Sequence, residues 1–313
     1  MNANNTLRSD PEKFGAYVAA SVVLSVIGLL GFTLNLIAIK LMWKEKHVWT
    51  SVNVILFNLV CADFLVALLG IPMSTAAAIA HKWIFGSIMC TVYGFFMSLL
   101  GITAITTLTA LSFERYLIIM KPLRNAKLSR SGAWTLLLSI WLYSFVLTTP
   151  PLIGWGDYIN EAANISCSVN WEEQGFNVKS YIIFLFVFGL VLPLIVIGFS
   201  YISIIIRLKQ QNLQSGQVKQ SEKRVTISIF VMIVAFLTAW MPYAVMALVA
   251  QFGAKNSITP AMGVIPAILA KSSVCYNPVI YVAFNTQFRH SWMQMFSKAR
   301  RRDTGRTTNV TTL

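Results

Sequence analysis

Lys271 is the residue of this sequence that most needs a chemical explanation. It lies in Pro266-Ala267-Ile268-Leu269-Ala270-Lys271-Ser272, within an apolar run extending from Pro260 to Phe284. Read as a helix, that run places the amine roughly 15 Å from either end at 1.5 Å rise per residue. A lysine near a helix end can reach polar headgroups along its stem, but one in the middle cannot. It must be paired, neutralised or used. A desolvated lysine sheds its proton readily, and the neutral amine attacks carbonyl carbons to form Schiff bases. An aldehyde held in the interior satisfies this residue. Three other ionisable residues fall inside apolar runs: Asp63, and the adjacent Glu114 and Arg115. Asp63 reads mainly as a solvated polar site inside a bundle, and as a switch element with Asn35 and Asn277. The plain reading of Glu114 and Arg115 is an interfacial ion pair.

These groups are held by long apolar segments. Hydrophobic residues make up 56% of the chain and charged residues 12%, about half the charge of a soluble domain. The apolar runs are near Ala16–Leu41, Ser51–Ile79, Ile88–Ile119, Gly132–Ile153, Ser180–Ile206, Val225–Phe252 and Pro260–Phe284. Each is long enough to cross a bilayer as a helix of about 20 residues. The fold class is therefore all-α membrane, a bundle of seven transmembrane helices spanning 16–284 behind a tail at 1–15. No internal repeat is visible, which does not suggest a transporter of repeated halves.

Basic residues orient the bundle. With the N-terminus extracellular, only Arg8, Lys13, Lys82, Lys179 and Lys255 lie outside, and all other Lys and Arg except Lys271 lie at the inner face. The net charge of +14 is thus explained by the anionic inner leaflet, and nucleic-acid binding is not needed. The first dozen residues are polar, so no cleavable signal peptide is expected and the first helix serves as its own insertion signal. Asn4-Asn5-Thr6 is an outer glycosylation triplet, Asn164-Ile165-Ser166 a second, and Asn309-Val310-Thr311 falls inside. Of four cysteines, Cys90 and Cys167 both face the oxidising side, so a bridge pinning the outer loop over the bundle is allowed. Cys61 and Cys275 read as small packing residues.

The motifs then take a specific form. Glu114-Arg115-Tyr116, Trp240-Met241-Pro242-Tyr243 and Asn277-Pro278-Val279-Ile280-Tyr281 fall in order along helices three, six and seven, with Asn35, Asp63, Trp141 and Pro193 in helices one, two, four and five. This pattern resembles the rhodopsin-like G-protein-coupled receptors over essentially the whole chain. Around Lys271, and in Pro150-Pro151-Leu152-Ile153-Gly154-Trp155, it resembles the opsins. Cys167-Ser168-Val169-Asn170-Trp171 and Ile140-Trp141-Leu142-Tyr143-Ser144 look closest to ciliary-type opsins of the encephalopsin and teleost-multiple-tissue group. Asn285-Thr286-Gln287-Phe288-Arg289 resembles the start of a short amphipathic eighth helix at 285–298, followed by a tail at 299–313.

The resemblance implies a plasma-membrane or photoreceptor-membrane light sensor, not an enzyme, with retinal on Lys271, 11-cis in the dark and all-trans after light. It places Met97, Ser98, Gly101, Trp240, Tyr243 and Ala267 around the polyene, with Phe236 one turn below Trp240. It also implies activation of a heterotrimeric G protein of the Gi/Go/transducin class through Glu114, Arg115, Tyr116, Tyr201, Glu222, Asn277, Pro278 and Tyr281, with Glu222 pairing Arg115 at rest. Receptor kinase and arrestin are expected to act on the tail threonines, Thr304, Thr307, Thr308, Thr311 and Thr312. Visual opsins carry a glutamate three residues after the disulfide cysteine, where this chain has Tyr93. A protonated Schiff base in a low-dielectric pocket needs a negative partner. Glu161, six residues before Cys167, matches the loop glutamate that serves bistable opsins, acting with Ser166 and with Tyr93 near the Schiff base. Against a receptor for a diffusible ligand stands Lys271. Against a retinal photoisomerase stand the intact signalling motifs, and against a light-driven ion pump the lack of a membrane carboxylate relay.

Overall fold

The computed structural model describes residues 11–44, 49–120, 128–213, 220–254 and 260–284. Among them, seven helices are long and apolar enough to cross a membrane. Helix α1 is Pro11–Lys44, α3 Gly86–Met120, α4 Arg130–Thr148 and α6 Gln220–Phe252. Helices α2, α5 and α7 are each interrupted. A π-helical turn, Val66–Gly70, divides α2 into Ser51–Leu65 and Ile71–Ile79. Another, Val187–Val191, divides α5 into Phe176–Phe186 and Leu192–Leu213. In each turn an amide reaches back five residues, Ile71 to Val66 and Leu192 to Val187. A proline follows directly in both cases, Pro72 and Pro193, and its missing N–H leaves a carbonyl one turn earlier to be accommodated. Helix α7 runs as Pro260–Ser272, a 3-10 turn at Ser273–Cys275, and Tyr276–Phe284.

Several boundaries differ from the sequence expectation: α5 starts at Phe176 and ends at Leu213, α6 starts at Gln220, and two others have a plain local cause. Helix α1 starts at Pro11, inside the expected tail, since proline is well suited to a first helical turn. Helix α4 stops at Thr148 and not at Ile153: Pro150 and Pro151 cannot continue it, and Pro150–Ile153 forms a 3-10 turn. The expected amphipathic helix at 285–298, the tail threonines and Asn4 lie outside the described residues.

Helix α3 is the central post, packed against α2, α4, α5, α6 and both strands of a hairpin. Buried polar side chains join the helices: Asn58 Nδ2 donates to Thr107 Oγ1 at 3.0 Å, and Asn58 Oδ1 accepts from Trp141 Nε1 at 2.8 Å. The largest cluster of buried apolar side chains fills the half of the bundle nearer Arg115, and smaller ones lie under the opposite end.

The opposite end is covered by the hairpin, β1 Tyr158–Asn160 and β2 Cys167–Val169, antiparallel with Tyr158 opposite Val169 and Asn160 opposite Cys167. A Cys90–Cys167 disulfide, S–S 2.07 Å, ties it to α3. Tyr158 donates its hydroxyl to the Thr148 carbonyl at 2.8 Å, and burial pushes that hydroxyl up to about 12, so it stays a donor at neutral pH. The segment after β2 is fastened to the near end of α6. Gln251 Nε2 donates to the Glu173 carbonyl at 3.1 Å, and Gln174 Nε2 to the Gly253 carbonyl at 3.3 Å.

Candidate functional site

Beneath the hairpin, α2, α3, α5, α6 and α7 enclose a cavity of about 180 Å³. That is room for on the order of ten water-sized bodies, or one elongated apolar molecule. Lys271 lines it from α7, and the described residues give its amine no ion pair. Tyr93, Met97, Ser98, Gly101, Glu161, Trp240, Tyr243 and Ala267 line it too. Every residue expected in the pocket is thus brought together, except Ser166, which stands behind Glu161. Phe236, expected one turn below Trp240, also reaches the wall and stacks on Trp240 with centroids 5.6 Å apart.

Two glycines keep the cavity open. A Cβ on Gly101 would approach Trp240 Cη2 to 3.0 Å, and one on Gly189 would meet Ile102 Cδ1 at 2.9 Å. Trp240 itself is held from α7, donating Nε1 to Ser273 Oγ at 3.1 Å, two residues beyond Lys271.

Only two carboxylates line the cavity among the described residues, Glu161 and Asp63. Asp63 is engaged elsewhere, accepting from Asn277 Nδ2 at 2.8 Å. Asn35 joins the same region by donating to the Val274 carbonyl at 2.9 Å. Glu161 lies in the hairpin turn. Its Oε1 accepts from the Tyr243 hydroxyl at 2.8 Å, and its Oε2 accepts from Ser166 Oγ. Trp171 Nε1 donates in turn to the Tyr243 hydroxyl oxygen at 3.1 Å. Tyr93 is occupied on its other side: its hydroxyl shares a 2.6 Å hydrogen bond with Ser74, and its ring packs edge-on against Trp83.

At the far end, Arg115 is buried between two acids. Its Nε donates to Glu114 Oε2 at 2.7 Å, and its Nη1 to Glu222 Oε2 on α6 at 2.8 Å. Tyr201 on α5 donates to the Thr226 carbonyl, one turn along α6, at 3.2 Å. Tyr281 on α7 donates to Asn53 Oδ1 at 3.0 Å, and Pro278 is buried beside it. Tyr116 points away from this cluster and packs on Phe199 of α5, 5.2 Å between centroids.

Three partners were not picked out from sequence. Ser74 and Ser273 carry no pattern of their own, although Ser273 is two residues from Lys271. Trp171 follows the disulfide cysteine by four residues, with nothing in its spacing to mark a role. The α5 wall, Leu185, Phe186, Gly189 and Leu190, belongs to a uniformly apolar helix whose cavity side looks like its lipid side.

The model of the family described as 7 transmembrane receptor (rhodopsin family) matches residues 34–281. The chain is 35% identical over 297 residues to pinopsin of Columba livia, covering 94% of this chain and 85% of that one. It is 36% identical over 312 residues to the G0-coupled rhodopsin of Mizuhopecten yessoensis, covering 95% and 76% respectively. Among solved structures, squid rhodopsin superposes with a TM-score of 0.84 at 30% identity, covering 91% of this chain and 87% of that one.

Proposed function

Because this chain belongs to the rhodopsin family of seven-transmembrane receptors, and within it to the opsins, we propose that it holds retinal on Lys271 through a Schiff base, with Glu161 as the counterion. It is a light-sensing receptor rather than an enzyme, a multi-pass membrane protein whose partner is a heterotrimeric G protein. The observation that carries the proposal is Lys271, without an ion-pair partner among the described residues, in the wall of an apolar cavity where, among those residues, the one carboxylate not bonded to another transmembrane helix's amide is Glu161. The hairpin end is taken as extracellular, in a plasma or photoreceptor membrane.

Bound retinal supplies a chromophore whose shape changes when light converts the 11-cis form to all-trans. The residues of the chain do the rest. Met97, Gly101, Trp240 and Ala267 fix the ligand's outline, and Glu161 holds a positive charge at the Lys271 nitrogen. Tyr243 and Ser166 hold the carboxylate of Glu161 in place by donating to it. Trp240, bonded to Ser273 and stacked on Phe236, passes displacement toward the far end of α6. A ligand moves such an equilibrium only if its two forms bind the two states differently. The Arg115–Glu222 and Tyr201–Thr226 bonds hold α6 closed at rest. Their release opens a cavity for the G protein, taken here as the Gi/Go/transducin class, which the G0-coupled relative supports. Receptor kinase and arrestin acting on the tail complete the cycle, and bistability follows if a second flash restores the dark form.

The test is direct. Purified protein mixed in the dark with 11-cis-retinal is expected to develop a visible or near-ultraviolet band. Light should then drive nucleotide exchange on a Gi-class heterotrimer. Absence of a band, or exchange indifferent to light, refutes the reading.

Two further outcomes are expected. Glu222→Gln leaves the α6 side of Arg115 with a neutral partner. The pair is part-exposed on the glutamate side, so its loss is worth roughly 1–2 kcal/mol, about a tenfold rise in the open population. Dark nucleotide exchange should rise to match, and an unchanged dark rate argues against the latch. Gly101→Leu drives a side chain into Trp240, so retinal uptake should slow at least tenfold in a stopped-flow binding assay. Uptake at the parent rate would place the ligand elsewhere.

A further inference from the structure

Glu161 belongs to the walls of two cavities. One is the cavity that holds Lys271. The other, about 30 Å³, lies toward the hairpin end, against Met246 and Ala250 of α6 and Gly263 of α7. It has room for about two water molecules, and its mainly apolar wall carries four polar residues, Asn160, Glu161, Ser168 and Glu172. Trp171 also lines both cavities.

The carboxylate of Glu161 has a reason to face such a space. A carboxylate offers about four acceptor sites, and here the protein fills one on each oxygen, from Tyr243 and Ser166. A half-buried anion with acceptor capacity left over is stabilised by water if a polar opening adjoins it. The small cavity is that opening. Trp171 lines both cavities, as do Glu161, Ser168 and Val169, and its ring is fixed. Its Nε1 donates to Ser168 Oγ at 3.2 Å and to the Tyr243 hydroxyl at 3.1 Å, and its edge meets Phe186 at 6.1 Å between centroids.

We propose that the small cavity is an entry port by which water and small hydrophilic extracellular solutes reach Glu161, and that the Trp171 ring is the partition that stops them short of Lys271. The proposal rests on the reading of the hairpin end as extracellular and of Lys271 as the retinal-bearing residue. It makes Trp171 a positioning residue that keeps one face of the counterion wet and the other dry.

The first test uses no retinal. Full-length protein in intact cells, with Cys61→Ser and Cys275→Ser, is given a cysteine at Gly263 or at Ala267 and exposed to a small membrane-impermeant methanethiosulfonate. A Cβ at Gly263 meets nothing within 4 Å, so Gly263→Cys fits, and it should be labelled from outside. Ala267→Cys, in the wall of the large cavity, should stay unlabelled with Trp171 present and be labelled at least tenfold faster in Trp171→Ala. The second test uses the retinal-loaded protein in the dark: hydroxylamine should remove its band at least tenfold faster in Trp171→Ala than in the parent. Trp171→Phe, which keeps a ring, should stay near the parent and serves if the alanine variant does not fold. An unlabelled Gly263→Cys overturns the port. Fast labelling of Ala267→Cys with Trp171 intact overturns the partition. If no retinal band forms, the labelling ratios still decide the port, and it is the retinal reading that falls.

Discussion

Lys271→Ala is expected to abolish every retinal-dependent absorption band while the protein still inserts and folds. The side chain lines an apolar cavity and makes no ion pair among the described residues. Its removal leaves Glu161 still accepting from Tyr243 and Ser166, which limits the cost that loss of a charge partner usually brings. Taking an amine out of an apolar space is itself neutral or favourable. What disappears is the one amine that the described residues place on the cavity wall, the nucleophile suited to an aldehyde. Free retinal that enters the space absorbs as the unlinked aldehyde does, because it lacks the protonated nitrogen. Borohydride treatment of the parent should fix a retinyl group on the tryptic peptide containing Lys271. A parent-like band in Lys271→Ala, or a retinyl group on another lysine, refutes the assignment.

The second large effect is spectral. Glu161→Gln is nearly isosteric, and its amide oxygen still accepts from the Tyr243 hydroxyl, so the hairpin stays seated. The negative charge is gone, and Asp63, the other carboxylate on the wall, is tied to Asn277. A nearby opposite charge favours the protonated state by roughly 1–4 kcal/mol. Without it the nitrogen on Lys271 is expected to be neutral near pH 7, and absorption to move from the visible into the near-ultraviolet. Lowering the pH should bring the visible band back, while Glu161→Asp, which keeps the charge, should hold it at neutral pH. A visible band unchanged in Glu161→Gln would remove Glu161 from the role. If the parent already absorbs in the ultraviolet, the expected order of the variants in acid still separates the two cases.

Much of this architecture was legible before any coordinates. Long apolar runs mark the spans because a bilayer allows few other solutions, and all seven lie where the hydropathy put them. The π-turns in α2 and α5 were not legible as such. One extra residue in a uniformly apolar helix leaves no periodic trace, although Pro72 and Pro193 were there to be weighed. The residues around Lys271 were legible through the company they keep in sequence. The bonds that orient them were not: Ser74 holding Tyr93, Ser273 holding Trp240 and Trp171 on Tyr243 join residues far apart in the chain. Tyr93 shows the limit well. Its position was recognised as the missing acid, but its hydroxyl is shared with Ser74, a serine that nothing in the sequence sets apart.

The fastening of α6 to the hairpin segment has a mechanical consequence. Tyr243, Gln251 and Gly253 anchor one end of the helix, and Pro242, which weakens the helix's own bonding, lies next to that anchorage. A rod pinned at one end and hinged beside the pin moves most at the other. From Tyr243 to Glu222 the arm is about 30 Å at 1.5 Å per residue, so a swing of roughly 5° carries Glu222 some 2–3 Å. That travel is comparable to the 2.8 Å ion pair it must break. In the proposed activation the lid over the cavity is thus also the fulcrum of the lever, and a displacement of Trp240 too small to disturb the lid would still be large enough to part Arg115 from Glu222.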